Sequence, residues 1–281
     1  MIVHLVDGTY ELFRHFYGGR RFRKNGDPPM GAAAGVVGTV LQMIVDGATH
    51  VGVATDHVVE SFRNDLWPGY KTGEGMEPVL HRQFHPLEDA LEAFGVRVWR
   101  MTDWEADDGL AAAALQSEAD SRVEKVCIWT PDKDLAQCVR GDRVVQVDRR
   151  SGNVRNAAGV RDKFGVDPEQ IPDYLALVGD AADGFPGIPG IGAVTAGRLL
   201  GRHRRIEDFP PEELGERIGE ALLFKRLATL CIDREMFGDV KELRWPGPTS
   251  ECPEWMERLD APRLKGLLEK ALATLDDGER E

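Results

Sequence analysis

The sequence predicts an α/β protein with a doubly wound, mainly parallel sheet, followed by a helical region. Short apolar runs alternate with helical patterns over about the first 150 residues, as strands and crossover helices do in parallel sheets. From Val160 onward helical patterns dominate. We therefore expect an α/β core over residues 1–175 and a helical region over residues 176–281.

Five short apolar runs are the predicted strands, and their length suits buried strands of a parallel sheet. They are Ile2–Val6, His50–Ala54, Val96–Trp99, Lys125–Thr130 and Val144–Val147. The helices predicted between them are Thr9–Tyr17, Gly31–Val45, His81–Phe94, Glu105–Ala119 and Asp134–Val139. Residues 18–29 read as a basic loop. Residues 57–80 mix aromatic and basic residues, which is typical of a surface loop or a mobile arch.

Composition excludes several classes of protein. No apolar run approaches the roughly 20 residues of a membrane helix, so no membrane partner is expected. The four cysteines lack C-x-x-C spacing, which predicts a reduced cytoplasmic protein without zinc. The net charge of −13 argues against a nucleic-acid partner, but steering depends on where charges lie. Two basic clusters occur, at Arg20, Arg21, Arg23 and Lys24, and at Arg198, Arg202, Arg204 and Arg205.

Acidic residues follow the predicted strands four times, and two more lie at the start of the helical region. They are Asp7; Asp56; Glu105, Asp107 and Asp108; Asp132 and Asp134; and Asp180 and Asp183. Each group alone could be explained by helix capping. Together they would meet in one crevice, where two charges about 4 Å apart repel by roughly 4 kcal/mol at an effective dielectric of 20. Oxygen ligands suit Mg²⁺ or Mn²⁺, and two such ions predict a phosphodiesterase.

Residues 179–200, GDAADGFPGIPGIGAVTAGRLL, are punctuated by glycine and proline. Prolines exclude a continuous helix, and we expect positive φ to be available to Gly187, Gly190 and Gly192. Thr195 is the expected cap of the next helix. This pattern predicts a helix–hairpin–helix turn that holds a phosphate backbone, with a monovalent cation such as potassium as a candidate bridge. The alternative is an ordinary turn between two helices.

These motifs together resemble the flap endonuclease and 5′-nuclease family, and most closely the N-terminal nuclease domain of bacterial DNA polymerase I and its free-standing relatives. The resemblance is carried by VDGTYELFR, ATDHVVESFRNDLWPGYK, WEADDGLAA, TPDKDLAQ and the glycine-rich segment, which matches a helix-three-turn-helix. It implies a PIN-like nuclease core in which the nine acids named above bind two metal ions. It also implies catalytic roles for Arg14, Arg63 and Lys71, and DNA contacts from Tyr70, Gly187, Gly190, Gly192, Thr195 and Arg198.

The resemblance implies a structure-specific 5′→3′ exonuclease and flap endonuclease of DNA replication and repair. Its expected substrates are DNA with 5′ flaps, nicks or single-stranded 5′ ends. We expect a monomer associated with the nucleoid, free-standing rather than fused to a polymerase, with a DNA polymerase as a partner in trans. The alternatives are a protein that binds branched DNA without cutting it and a PIN-like ribonuclease. The sequence departs from the family pattern at Glu74, Gly184 and Ala193–Val194.

Overall fold

A computed structural model of the chain describes residues 1–19 and 28–278, and these residues form one six-stranded sheet. The strands are β1 Ile2–Asp7, β2 His50–Asp56, β3 Arg97–Met101, β4 Lys125–Trp129, β5 Val144–Val147 and β6 Val154–Arg155. Their order is β3-β2-β1-β4-β5-β6; β6 runs antiparallel to β5, and the other neighbours are parallel. The order reverses between β1 and β4, where open α/β sheets form a ligand-binding crevice.

Helices cover the sheet and build the second half of the chain. In the first half they are α1 Gly8–Gly19, α2 Gly31–Val45, α3 Phe62–Leu66, α4 Pro78–His81, α5 Phe84–Ala93 and α6 Ala106–Ala119. In the second half they are α7 Ala157–Phe164, α8 Ile171–Val178, α9 Ala193–His203, α10 Pro211–Leu214, α11 Ile218–Ala228, α12 Cys252–Leu259 and α13 Arg263–Gly278. Every helix within the described ranges is too short or too polar to span a lipid bilayer.

Two apolar cores lie on opposite faces of the sheet. Successive side chains of a strand point to opposite faces, so Leu5 and Val6 enter different cores. α1, α2 and α5 cover the face of Val6, whereas α6 covers the face of Leu5. Residues 111–114 of α6 are all buried alanines, which let this helix lie close to the strands.

A third core unites the helices after β6. α8 packs against α9 and α11, and Phe185 stacks on Phe224 at a centroid distance of 5.6 Å. The last two helices leave this unit. α13 packs against α2, and Trp255, Leu264 and Ala271 are buried in the core that α2 shares with the sheet. The two ends of the described chain therefore meet in one apolar layer.

The predicted α/β class is confirmed, with local differences that have physical reasons. β6 was not predicted, because two residues are too short to show alternation. The helix predicted over 81–94 is divided between α4 and α5, and the predicted helix 134–139 is a 3₁₀ helix over Asp134–Cys138. Residues 57–80 are more ordered than predicted, since Ser61 caps α3 within them. The basic cluster of Arg20, Arg21, Arg23 and Lys24 lies outside the described residues.

Candidate active site

Carboxylates converge on a cavity of about 350 Å³ at the carboxyl ends of β1, β2 and β4. Its acidic lining consists of Asp7, Asp56, Glu105, Asp107, Asp132 and Asp183. The first two end β1 and β2, the next two begin α6, and Asp132 follows β4. Parallel strands bring their carboxyl ends to one edge of the sheet, so acids far apart in sequence become neighbours.

Asp7 lies at the centre of this crevice and is 6% exposed. The amide of Tyr10 donates to its Oδ1 at 2.8 Å, and the Thr130 hydroxyl donates to Oδ2 at 3.1 Å. Burial raises the pKa of Asp7 to about 7, and the nearby Asp56 and Asp132 carboxylates add to the rise, while the two hydrogen bonds oppose it. This carboxyl group therefore lacks a cation that would stabilise its charged form.

Asp56 connects the crevice to the start of α6. Its Oδ1 accepts a hydrogen bond from the Ala106 amide at 2.8 Å, and its own amide donates to the Thr9 hydroxyl at 2.9 Å. Burial raises the pKa of Asp56, and burial with the charges of Asp132 and Asp7 raises that of Asp107 well above its ordinary value. α6 thus presents its first turn to the other acids.

Lys71 is the cation on the wall of the crevice. Its Nζ lies 2.8 Å from Glu105 Oε2 and 2.9 Å from Asp183 Oδ1. Burial would lower the pKa of Lys71, but these two carboxylates raise it well above its ordinary value. Burial likewise opposes the charge of Glu105, yet Lys71 and Arg63 hold its pKa below the usual range. Lys71 therefore stays charged and joins α6 to the helical unit.

A second acidic group adjoins the cavity. Asp134, Asp180 and Asp183 each place a carboxylate oxygen within 4.8 Å of the others. Lys133 Nζ lies 2.7 Å from Asp180 Oδ2, whereas the buried Oδ1 of Asp134 has no hydrogen-bond partner among the described residues. Burial raises the pKa of Asp134 well above its ordinary value, and the carboxylates of Asp183, Asp132 and Asp180 add to this.

These observations fit divalent cations. The donors are all carboxylate oxygens, which hard cations prefer over histidine or cysteine ligands. The raised pKa values of Asp7, Asp56, Asp107, Asp132 and Asp134 show that the protein alone does not neutralise this charge. A bound cation would neutralise it and would give the orphan oxygen of Asp134 a partner.

Asp108 and Arg63 do not take the positions that the sequence predicted. Asp108 is fully buried and accepts two hydrogen bonds from Arg63, with Nη1 at 2.8 Å and Nη2 at 2.7 Å. It also accepts from the Glu105 and Cys231 amides. Its oxygens thus have hydrogen-bond partners inside the protein, and Asp108 is not part of the cavity lining.

Arg63 is neither a solvated surface cation nor a residue of the crevice wall, since only 1% of it is exposed. Besides Asp108, its guanidinium contacts Glu105 Oε1 at 3.0 Å and donates to the carbonyls of Leu227 and Thr229. Arg63 is therefore placed as a buried link between α6 and the helical unit, and it is not part of the cavity lining.

Tyr70, a predicted DNA contact, is also buried, with 4% of it exposed. Its hydroxyl donates to Glu105 Oε2 at 3.3 Å. The segment around it is held against the helical unit, because the Trp67 indole donates to the Gly184 carbonyl at 3.0 Å. A Cβ on Gly184, whose φ is +83°, would lie 2.0 Å from the Gly69 carbonyl oxygen. The glycine that departs from the family pattern at residue 184 therefore permits close packing against Gly69. This packing positions Lys71, two residues further along the chain.

Arg14 lies beside the crevice but does not line it. Its Nε donates to both carboxylate oxygens of Glu11 at 3.1 Å, and its Nη2 also donates to Glu11 and contacts His15. The sequence reasoning missed Glu11, which is 1% exposed. The sequence feature that indicates this pair is the i, i+3 spacing between an acid and an arginine on one helix.

The glycine-rich turn is present, but only part of its detail is as predicted. Gly187 and Gly190 have φ of +69° and +87°, whereas Gly192 has φ of −96° and is the N-cap of α9. Gly192 therefore does not use the positive φ that is available to it. Thr195 lies inside α9 and makes no capping hydrogen bond, so its predicted cap is wrong. Arg198 is exposed on the same helix.

Comparison with protein families matches both parts of the chain. Residues 2–165 match the model of the 5′-3′ exonuclease N-terminal resolvase-like domain. Residues 166–251 match the model of the 5′-3′ exonuclease C-terminal SAM fold. The chain belongs to the 5′-3′ exonuclease family. The predicted family resemblance is thus confirmed, and the crevice of this exonuclease family member lies chiefly within its first matched region.

Two curated relatives illustrate its place in this family. DNA polymerase I of Pseudomonas aeruginosa is 34% identical over 263 residues, which cover 86% of this chain and 28% of that protein. The chain thus spans little more than a quarter of that relative. A 5′-3′ exonuclease of Buchnera aphidicola is 29% identical over 208 residues, which cover 73% of this chain and 71% of that protein.

Solved structures share the fold of this exonuclease family member. The T5 D15 protein co-crystallised with metal ions has a TM-score of 0.66 at 20% identity, and the match covers 96% of this chain and all of that one. The catalytic core of Rad2 in complex with DNA substrate has a TM-score of 0.56 at 14% identity, covering 97% and 91%. Both likenesses support the PIN-like, resolvase-like core.

Proposed function

We propose that this protein is a structure-specific DNA 5′-nuclease that hydrolyses phosphodiester bonds at 5′ ends and 5′ flaps. Membership of the 5′-3′ exonuclease family supports this proposal. The observation that carries it is the convergence of six acids and Lys71 on one cavity. Such a crevice suits a negatively charged phosphodiester only when cations are bound, because unneutralised carboxylates repel the substrate.

We assign the metal ligands to the acids that remain free to bind. They are Asp7, Asp56, Glu105, Asp107, Asp132, Asp134, Asp180 and Asp183, with Mg²⁺ or Mn²⁺ as the proposed ions. When bound, two such ions neutralise charge developing on the scissile phosphate and promote ionisation of the attacking water. Thr130 and the Tyr10 amide orient Asp7, and Ala106 orients Asp56. The protein therefore presents its oxygens in fixed directions before cations arrive.

Lys71 is the residue that we assign to the scissile phosphate. Its ammonium lies at the cavity wall and stays charged. Once cations neutralise Glu105 and Asp183, the ammonium becomes available to an incoming phosphate oxygen. We retain Arg14 as a phosphate contact at the margin, where its hydrogen bonds to Glu11 fix the guanidinium.

The glycine-rich turn supplies the proposed contact with duplex DNA away from the cut. Gly190 and Gly192 are exposed, and a Cβ on either would meet nothing within 4 Å of it. Their backbone is therefore open to a phosphate strand, with Arg198 nearby on α9 and potassium as a candidate bridge. Gly187 differs, because its Cβ would lie 2.3 Å from the Gly179 nitrogen. Gly187 thus serves the packing of the turn.

The remaining parts of the proposal concern the setting of this activity. We expect a monomer that acts on nicks, flaps and single-stranded 5′ ends in the cytoplasm at the nucleoid, with a DNA polymerase in trans. The division near residue 175 is likewise our proposal for the two functional regions.

Cleavage of labelled DNA tests the proposed function. The full-length protein would be incubated with 5′-labelled flap, nicked and single-stranded DNA, with Mg²⁺ or with EDTA. Mg²⁺-dependent release of short 5′ products, with a preference for junctions, is the expected result. Binding without cleavage in both Mg²⁺ and Mn²⁺ would favour a branched-DNA-binding protein. Faster cleavage of a matched RNA flap would favour a ribonuclease.

A further inference from the structure

A group of cations near the crevice combines Lys133, from the TPDKDLAQ motif, with two residues outside the recognised motifs. Arg155 ends β6 and Lys163 lies on α7, and both side chains lie over the ring of Phe164. Arg155 Cζ is 6.0 Å and Lys163 Nζ is 4.9 Å from the ring centroid. Lys133, in the loop after β4, is near enough to act electrostatically on Lys163.

Among the described residues, Lys133 is the member of this group that is paired with a carboxylate, at 2.7 Å from Asp180. In the described part of the chain, neither Arg155 nor Lys163 forms an ion pair with a carboxylate. Partial burial lowers the pKa of Lys163, and the charges of Arg155 and Lys133 lower it further, against a smaller opposing effect of Asp132 and Asp148. Burial also lowers the pKa of Arg155. An anion placed here would relieve this repulsion.

Hydrogen bonds connect these cations to the crevice. Arg155 Nη1 donates to Gln146 Oε1 at 2.8 Å, and Gln146 Nε2 donates to the Asp132 carbonyl at 2.5 Å. Arg155 is thus two hydrogen bonds from the backbone of a residue that lines the cavity. Lys133 is tied to the second acidic group through Asp180. These cations are therefore linked to one residue of the cavity lining and to one residue of the second acidic group.

We propose that Lys133, Arg155 and Lys163 form a binding subsite for backbone phosphates of a DNA strand that passes the active-site cavity. This inference rests on the proposed function and adds a contact surface separate from the glycine-rich turn. Phosphate is the group favoured over a base, because Phe164 and Tyr174 beneath the cations are each only 8% exposed and offer no open ring face for stacking. Contacts of this kind fix register without reading sequence.

Salt-dependent binding of the full-length protein tests the subsite. The variants are Arg155→Ala, Lys163→Ala and the two combined, measured with 5′-hydroxyl nicked duplex DNA in Ca²⁺, a hard cation that binds carboxylate oxygens. The matched control is Arg161→Ala, on α7 as well, whose Nε is paired with Asp167 at 2.5 Å. Losing two phosphate contacts should lower the magnitude of the log K against log salt slope by about 1.8. We expect affinity at low salt to fall by roughly tenfold for each single variant and roughly a hundredfold for the double variant, since one charged hydrogen bond corresponds to about tenfold.

The results separate this inference from the proposed function. If the wild type cleaves DNA but the double variant keeps the affinity and salt slope of Arg161→Ala, the subsite is refuted and the nuclease assignment stands. A deficit seen only with 5′-phosphorylated DNA would overturn the backbone assignment in favour of a terminal phosphate. A wild type that neither binds nor cleaves DNA overturns both. Lys163→Glu, at an exposed position, keeps the test valid if the Arg155 variants unfold.

Discussion

Replacing Arg63 with methionine tests its role as a buried link. The side chain is 1% exposed, and its guanidinium makes two hydrogen bonds to Asp108, one to Glu105 and two to the carbonyls of Leu227 and Thr229. Methionine keeps much of the aliphatic volume but leaves Asp108 without its cation and Glu105 with Lys71 alone. The variant therefore isolates the charge from the packing.

The expected cost of this change is large. Removing one partner of a buried ion pair costs about 3–5 kcal/mol, because the other charge stays buried. A small domain has roughly 5–15 kcal/mol of stability in total, so this loss would be readily measured. Arg100→Met is the matched control. Arg100 pairs with the half-exposed carboxylates of Asp89 and Glu92 and lies 3.8 Å from the buried Glu88, which keeps the Thr55 hydroxyl as a partner. We therefore expect the smaller loss of an exposed pair, about 1 kcal/mol or less.

Urea denaturation followed by circular dichroism measures both variants in the metal-free protein at pH 7.5. A double-mutant cycle with Asp108→Asn then isolates the pairwise energy, which should exceed that of Arg100 with Asp89. A free energy of unfolding for Arg63→Met within about 1 kcal/mol of the wild type would refute the buried-link reasoning.

Three further predictions follow from the crevice and its supports. Asp132→Ala should reduce cleavage at least ~100-fold while DNA binding persists. The variant should also stabilise the metal-free protein, because it relieves repulsion between carboxylates. Near-normal cleavage in Mg²⁺ would contradict the ligand assignment. The pKa of Asp7 is raised from 3.8 to about 7, so its folded form binds the proton more tightly than the unfolded form. Its contribution to metal-free stability should thus fall as pH rises between about 4 and 7, by about 4 kcal/mol at 1.36 kcal/mol per pH unit, and Asp7→Asn should flatten this dependence in pH-resolved denaturation. Gly184→Ala should lower the thermal midpoint clearly more than Gly190→Ala. Both residues have positive φ, but only a Cβ at residue 184 would contact backbone atoms, those of Gly69. Equal losses in the two variants would show that the contact with Gly69 is unimportant.

The position of the acids could be predicted because two strong signals coincide. A buried apolar run predicts a parallel strand, and an acid directly after it must lie at the edge where such strands end. Asp7 and Asp56 satisfy both conditions, and the structure places them in one cavity. This reasoning needs no knowledge of the order of the strands.

The role of Asp108 could not be predicted in the same way. Asp107 and Asp108 are neighbours on one helix turn, so the sequence predicts both as metal ligands and does not distinguish them. Successive helix residues point about 100° apart, and only one of them faces the cavity. The partner that occupies Asp108 is Arg63, whose other contacts, Leu227 and Thr229, lie more than 160 residues along the chain.

The backbone conformation of individual glycines could not be predicted from the sequence either. The sequence shows that Gly190 and Gly192 permit positive φ but not which of them uses it. The structure assigns it to Gly190 and leaves Gly192 in an ordinary extended conformation that other residues can adopt. Gly192→Val is consequently a test of external contact, because it imposes no strain on the fold.

The packing of α13 against α2 has a consequence for how the chain folds during synthesis. Leu264 and Ala271 are buried beside side chains of α2, so this apolar layer closes only after the helical unit that lies between them in sequence has been made. Contacts of such sequence separation form slowly and leave apolar surface open to aggregation until they are made. The α/β region thus cannot finish folding on the ribosome ahead of the helical region. A fragment ending at residue 251, where the family match stops, should expose this layer and lose solubility.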